Sequence, residues 1–265
     1  MKKKRFVVDG LAGDIYFEPN IEPTAASMFL FGFPAFIGPN PMTHKVVSAG
    51  YLSFQPHYLG TYDSDGQFSP KTLMETCKIS QRCFDTGRVY LPAEETDYLL
   101  PAKLSILVGH SFGCFAAIRG VQMLPNVKLL ILMAPAVHYR RNNPDYGLKE
   151  DGIAHFESVR RAWPRTYRMA ALNDWIQVLE GRDPLPSNKS HLSLQEVHCI
   201  IGANDKYFDM NMVKKNIEKV VRAYVGSNAR FILTILPDCG HYIDELVNQS
   251  SLDISALLKR IGDSK

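Results

Sequence analysis

Gly109-His110-Ser111-Phe112-Gly113 constrains this chain more than any other stretch. An apolar, strand-forming run, Leu104-Ser105-Ile106-Leu107-Val108, leads into it, and the helix-compatible Cys114-Phe115-Ala116-Ala117-Ile118-Arg119 follows. A serine at G-x-S-x-G spacing on a strand-to-helix turn is the nucleophile-elbow pattern. The turn is so tight that the residues two before and two after the serine approach each other, and side chains there would collide. It leaves the Ser111 hydroxyl exposed and aims the first amides of the new helix at whatever that hydroxyl attacks.

The rest of the chain reads as strands alternating with helices. Arg5–Val8 and Asp14–Phe17 predict a hairpin across Asp9–Gly13. Ala25–Phe31, Tyr51–Gln55, Val127–Met133, Glu196–Ile201 and Arg230–Leu236 predict further strands. Helices are predicted around Thr43–Ala49, over Pro70–Asp85 with Ser69 as N-cap, over Met210–Tyr224 and over Leu252–Ile261. Continuous apolar strands between helices imply a mostly parallel sheet covered on both faces. One segment breaks the alternation. From residue 138 to 193 the helix-like pieces Ile153–Trp163 and Tyr167–Glu180 precede a loop with Pro184 and Pro186. The expectation is a helical cap or lid at 138–193 on a core formed by 1–137 and 194–265; a crossover helix with long loops is the alternative.

Composition narrows the possible partners. Thirty basic against 27 acidic residues is too even for a nucleic-acid binder, and no basic run interleaved with aromatics suggests a groove for one. Lys2-Lys3-Lys4-Arg5 has no apolar stretch behind it, so neither a secretory signal nor membrane insertion is expected. Five cysteines without C-x-x-C spacing argue against zinc and against a disulfide framework, and fit a cytoplasmic location.

A serine hydroxyl is a weak nucleophile near neutral pH and needs a base, which in turn needs an orienting acid. His241 follows the last strand and is the candidate base. His198 lies within a strand, and His110 should point away from Ser111 as a packing or hydrogen-bonding residue. Asp205, in Gly202-Ala203-Asn204-Asp205, is the candidate acid, although these residues also form ordinary turns. Asp209 is the fallback and Asp145 a third choice. Backbone donors for a developing oxyanion are expected at Phe112 and at Phe33, in the loop Gly32-Phe33-Pro34-Ala35-Phe36. Phe33, Phe36, Phe112 and Tyr242 are either an apolar acyl pocket or core. Arg140, Arg141, Arg160, Arg161, Arg165 and Arg168 form either a site for an acidic leaving group or a solvated face.

Gly32-Phe33-Pro34, Gly109-His110-Ser111-Phe112-Gly113, Gly202-Ala203-Asn204-Asp205 and Gly240-His241, each after a predicted strand, together resemble the α/β-hydrolase superfamily over essentially the whole chain. Tyr58–Gly66 is similar to its loop after the fourth strand. The resemblance implies an eight-stranded, mostly parallel sheet with a cap after the sixth strand. It implies Ser111 as nucleophile, His241 as base, Asp205 as orienting acid, donors at Phe33 and Phe112, and no cofactor or metal. Phe31-Gly32 stands where many relatives have His-Gly, and Cys114 where many have a second glycine. The expected activity is serine-dependent hydrolysis of a carboxylic ester on a small acyl substrate. A thioesterase or acyltransferase acting on a carrier-bound acyl group, or a non-catalytic binding protein, are the alternatives. The sequence allows a homodimer.

Overall fold

The computed structural model describes residues 1–101, 103–137, 152–184, 192–249 and 253–263. β1 (Lys2–Val8) and β2 (Leu11–Phe17) form an antiparallel hairpin. Its turn is only Asp9-Gly10, with φ of 50° and 75°, the left-handed pair that suits the twist of a two-residue hairpin. β3 (Ala26–Leu30), α1 (Pro41–Ser48) and β4 (Leu52–Pro56) come next. α2 (Pro70–Thr86) begins with a capping box between Ser69 and Thr72 and ends on Gly87 at φ 68°. β5 (Arg88–Leu91) and β6 (Thr96–Leu99) form a second hairpin.

β7 (Leu104–His110) and α3 (Phe112–Gly120) flank Ser111, and a 3-10 turn at Val121–Met123 leads to β8 (Leu129–Met133). α4 (Gly152–Ala162) and α5 (Leu172–Leu179) lie between β8 and β9 (Glu196–Gly202). The chain closes with α6 (Met210–Val225), β10 (Arg230–Leu236), α7 (Ile243–Asn248) and α8 (Ile254–Asp263).

All strands join one sheet in the order β10-β9-β8-β7-β3-β4-β2-β1-β5-β6. The run from β10 to β4 is parallel, and from β4 to β6 every pairing is antiparallel. The central strands β3, β7 and β8 are buried almost throughout, as a parallel sheet covered on both faces requires. Among the described residues the sheet therefore has ten strands rather than eight. The extra pair is the β5–β6 hairpin, added at the far edge beyond β1, where Val89 and Leu91 point inward and Arg88 and Tyr90 outward. Leaving out that hairpin, β8 is the sixth strand in chain order.

The predicted helix over Tyr167–Glu180 starts later, at Leu172. Residues 167–170 are instead extended against the loop after β4: Arg168 N–H donates to Gly60 O (2.8 Å), and Phe68 N–H to Arg168 O (2.8 Å). Thr61 and Phe68 pair with Tyr167 and Met169 as isolated bridges, which satisfy backbone groups that would otherwise be spent in a helix. Arg168 adds guanidinium hydrogen bonds to the carbonyls of Tyr62, Ser64 and Gly66. No helix among the described residues is long and apolar enough to cross a membrane.

Candidate active site

Ser111 sits between β7 and α3 with φ 54° and ψ −120°, a conformation that costs an L-residue on the order of 1–3 kcal/mol. The flanking glycines allow it. A Cβ on Gly109 would lie 2.5 Å from the Gly113 carbonyl oxygen, and one on Gly113 would lie 2.0 Å from the Leu30 carbonyl oxygen. The second glycine is thus required chiefly by β3 packing under the turn, rather than by Gly109 alone. Ser111 N–H donates to Met133 O on β8 (2.9 Å), fixing the turn to the neighbouring strand.

β9 and β10 deliver the other two side chains. A Cβ on Gly202 would meet the carbonyl oxygens of Cys239 and Gly240 at 2.2 Å, so the loops after the two strands lie directly against each other. Asn204 N–H donates to Cys239 O (2.9 Å), tying them together. Asp205, 3% exposed, receives the Tyr207 amide on Oδ1 (3.0 Å). Its Oδ2 lies 2.7 Å from His241 Nδ1, and His241 Nε2 lies 2.9 Å from Ser111 Oγ. A buried carboxylate beside Nδ1 favours the neutral tautomer with the proton on Nδ1, which leaves Nε2 to accept the serine proton. The rings of Tyr207 and Phe208 flank His241, with centroids 4.6 and 5.9 Å away.

Of the acid candidates among the described residues, Asp205 reaches His241 and Asp209 does not. Asp209 is spent as the N-cap of α6, accepting from the amides of Asn211 and Met212. Asp145 lies outside the described residues, as do Arg140, Arg141 and Pro186. His198 pairs with Glu196 on β9 (2.7 Å). His110 lines the cavity and contacts the His241 backbone rather than Ser111, its Nε2 2.9 Å from the His241 carbonyl oxygen. Burial lowers its pKa to about 4, so it is neutral there and donates through Nε2.

The loop after β3 closes over this group. Gly32 lies beside Ser111: a Cβ there would be 3.4 Å from Ser111 Cβ. Phe33 follows it, and Phe112 opens α3, where the first-turn amides have no intrahelical carbonyl to bond. The Phe112 side chain is core, fully buried against Phe33, Phe68, Phe115 and Trp175. Phe33 is also buried, with its ring edge-on to Tyr167 and tilted against Phe156. Phe36 and Tyr242 behave differently. At 86% and 59% exposure they stand at the rim of a cavity of about 720 Å³ that opens onto Ser111 and His241.

Much of that cavity's wall is made of residues that local sequence signals did not single out: Phe29 from β3, Ile37 and Pro39 from the following loop, Pro41 at the start of α1, Tyr207, Phe208, Ile243 and His155. Asp244 is the one Asp, Glu, Lys or Arg among the lining residues. Arg165 is exposed, and no arginine of the 152–184 segment is among the residues lining the cavity. Arg160 and Arg161 pair with Glu157, and Arg168 with the carbonyls described above. Among the described residues no group of three or more His, Cys, Asp or Glu side chains is placed to hold a metal ion. All five cysteines are free and buried.

A strand-turn-helix serine at the carboxyl ends of a mostly parallel sheet, with helices on both faces, is the architecture of α/β hydrolases. The chain belongs to the alpha/beta hydrolase family, whose model matches residues 80–251. Comparison with curated protein sequences finds no match. Among solved structures, it is similar to a fungal esterase from Rhizomucor miehei (TM-score 0.62, 16% identity, 98% of this chain and 83% of that one). It is also similar to an esterase from Pyrococcus furiosus (0.58, 13%, 98% and 91%) and to the esterase domain of a Rhodothermus marinus protein (0.51, 14%, 98% and 96%). At these identities the likeness establishes the fold.

Proposed function

We propose that this hydrolase cleaves carboxylic esters through an acyl-enzyme on Ser111. The observation that carries the reading is the unbroken hydrogen-bonded chain Ser111 Oγ–His241 Nε2–His241 Nδ1–Asp205 Oδ2, with links of 2.9 and 2.7 Å. In this mechanism His241 takes the hydroxyl proton as Ser111 attacks the ester carbonyl, then passes it to the leaving alkoxide. Asp205 stabilises the imidazolium formed between those steps. The Phe33 and Phe112 amides hold the oxyanion. Water then attacks the acyl-enzyme with His241 again as base, releasing the acid and restoring the serine.

The segment between β8 and β9 acts as a cap, because the rings of Phe156, Tyr167 and Trp175 close over Phe33, Phe68 and Phe112. The apolar cavity supports an uncharged acyl group with Phe36 and Tyr242 at its entrance. Arg160, Arg161 and Arg168 pair with Glu157 and backbone carbonyls, and no arginine among the described residues lines the cavity, which supports an ester over a carrier-bound thioester.

Labelling with a fluorophosphonate probe tests the nucleophile: the wild type is modified at Ser111, and Ser111→Ala is not. An unlabelled wild type would favour a binding protein built on the hydrolase fold. Panels of p-nitrophenyl esters and acyl-CoA thioesters at matched chain length test the substrate class, and the esters should be the better substrates.

A further inference from the structure

We infer that His155, on the cap helix α4, is a positioning residue that holds the Phe33 amide in place for the oxyanion through a hydrogen bond to the Phe33 carbonyl. The inference rests on the serine-hydrolase reading above. His155 Nε2 lies 2.9 Å from Phe33 O. A carbonyl oxygen only accepts, so Nε2 carries a proton and donates. The next residue on the helix, Phe156, packs its ring at a tilt against the Phe33 ring, with centroids 4.6 Å apart. One turn of α4 therefore grips Phe33 at its side chain and at its backbone.

The loop needs such a grip. Gly32, immediately before Phe33, has no Cβ and leaves the Gly32–Phe33 peptide plane free to turn. Pro34, after it, has no N–H with which to bond back to the protein. The direction of the Phe33 N–H is thus set by what holds the carbonyl of the same residue and the peptide beyond. The cap supplies that as well: Ala35 N–H donates to Tyr167 Oη (2.9 Å). The Tyr62 hydroxyl donates to Ala35 O and lies 3.2 Å from Tyr167 Oη. Burial raises both tyrosine pKa values, so these hydroxyls keep their protons. Residues 33–35 are held by two side chains from the segment after β8 and one from the loop after β4. An oxyanion donor displaced by a fraction of an ångström loses much of its effect, because it acts only where charge develops.

The test uses full-length protein and two readouts, the rate of fluorophosphonate labelling at Ser111 and steady-state hydrolysis of p-nitrophenyl butyrate. A direct oxyanion donor is worth about 10²–10³ in kcat, so removal of its support by His155→Ala should cost about 10- to 100-fold in both labelling rate and kcat, with KM within about 3-fold. His155→Gln, whose side-chain amide can still donate, should return to within about 5-fold of wild type. Tyr167→Phe removes the acceptor of Ala35 N–H without touching His155, and should lower kcat in the same sense. A trifluoromethyl ketone, which forms a tetrahedral oxyanion on the serine, should lose affinity for His155→Ala in proportion to the loss of kcat/KM. Unchanged labelling and ketone affinity in folded His155→Ala would overturn the inference while leaving the serine mechanism standing. A rise in KM alone, or a glutamine variant no better than alanine, would also overturn it. Failure of the wild type to label would instead count against the serine mechanism itself.

Discussion

The Nε2 of His110 lies 2.9 Å from the carbonyl oxygen of His241, so one histidine at the end of β7 holds the backbone of the other in the loop after β10. The two rings sit 5.6 Å apart, and only His241 reaches Ser111. Neutral His110 serves this contact with a single proton on Nε2. A protonated ring in the same partly buried place would add a charge that burial disfavours.

That placement makes stability depend on pH in a defined window. Burial lowers the folded pKa of His110 to about 4, against the ordinary 6.5 of an unfolded histidine. Between those values the unfolded chain binds the extra proton and the folded one does not, so stability rises with pH. The contribution is complete above 6.5 and is lost as pH falls toward 4. It should amount to something on the order of 2 kcal/mol once partial exposure is allowed for. Melting curves of wild type and His110→Gln between pH 4 and 7 check this. The Tm difference between the two should change steeply across the window, and a difference that stays constant with pH would refute the assignment.

A second consequence concerns backbone strain at Ser111. Ser111 holds φ 54° and ψ −120°. Alanine in its place keeps the strain, whereas glycine relieves it. At ordinary positions Gly is less stable than Ala by roughly 0.5–1 kcal/mol. Here the order should invert, with Ser111→Gly melting above Ser111→Ala by about 1 kcal/mol, or a few degrees in Tm. Both variants should be inactive. Calorimetry of the pair decides it, and an alanine variant that melts higher would mean the turn is relaxed.

The parts of this arrangement legible in the sequence are those with local causes. Ser111, Asp205 and His241 each follow a run of apolar strand residues, and a parallel sheet brings such loops to one edge whatever the intervening chain does. The Ser69 cap and the Asp9-Gly10 turn carry their own chemistry. What stayed hidden depends on distant neighbours. The β5–β6 hairpin is four residues a side and joined by a glutamate-containing turn, too short and polar to show a period. Residues 167–170 are extended only because Gly60 and Phe68 offer them backbone partners. The cavity walls at Phe29, Phe31, Ile37 and Phe208 look like any buried apolar residues until the loops are folded over Ser111. His155 looked like an ordinary helix residue, because its partner carbonyl lies 122 positions away.

Arg119 offers a test of how α3 is tied to the rest of the molecule. It lies on α3, two turns beyond Ser111, and is 6% exposed. Its guanidinium meets Asp183 through two hydrogen bonds of 2.8 and 2.9 Å, and donates to the Tyr224 hydroxyl on α6 at 2.8 Å. It also lies over the ring of Phe115 at 3.8 Å and of Tyr224 at 4.5 Å. Asp183 belongs to the stretch after α5, so this one side chain joins α3 to both that stretch and α6. Removing one member of a buried pair strands the other, which costs about 3–5 kcal/mol. Arg119→Leu should therefore lower stability by that amount, and Arg119→Lys should recover little of it, since an ammonium gives neither the paired hydrogen bonds nor the stacking. Adding Asp183→Leu to Arg119→Leu removes the stranded carboxylate, so the double variant should be no less stable than Arg119→Leu alone. Urea unfolding of the four proteins in a double-mutant cycle measures the coupling. Strict additivity of the two losses would show that Arg119 and Asp183 act independently, and that the clamp between α3 and the stretch after α5 lies elsewhere.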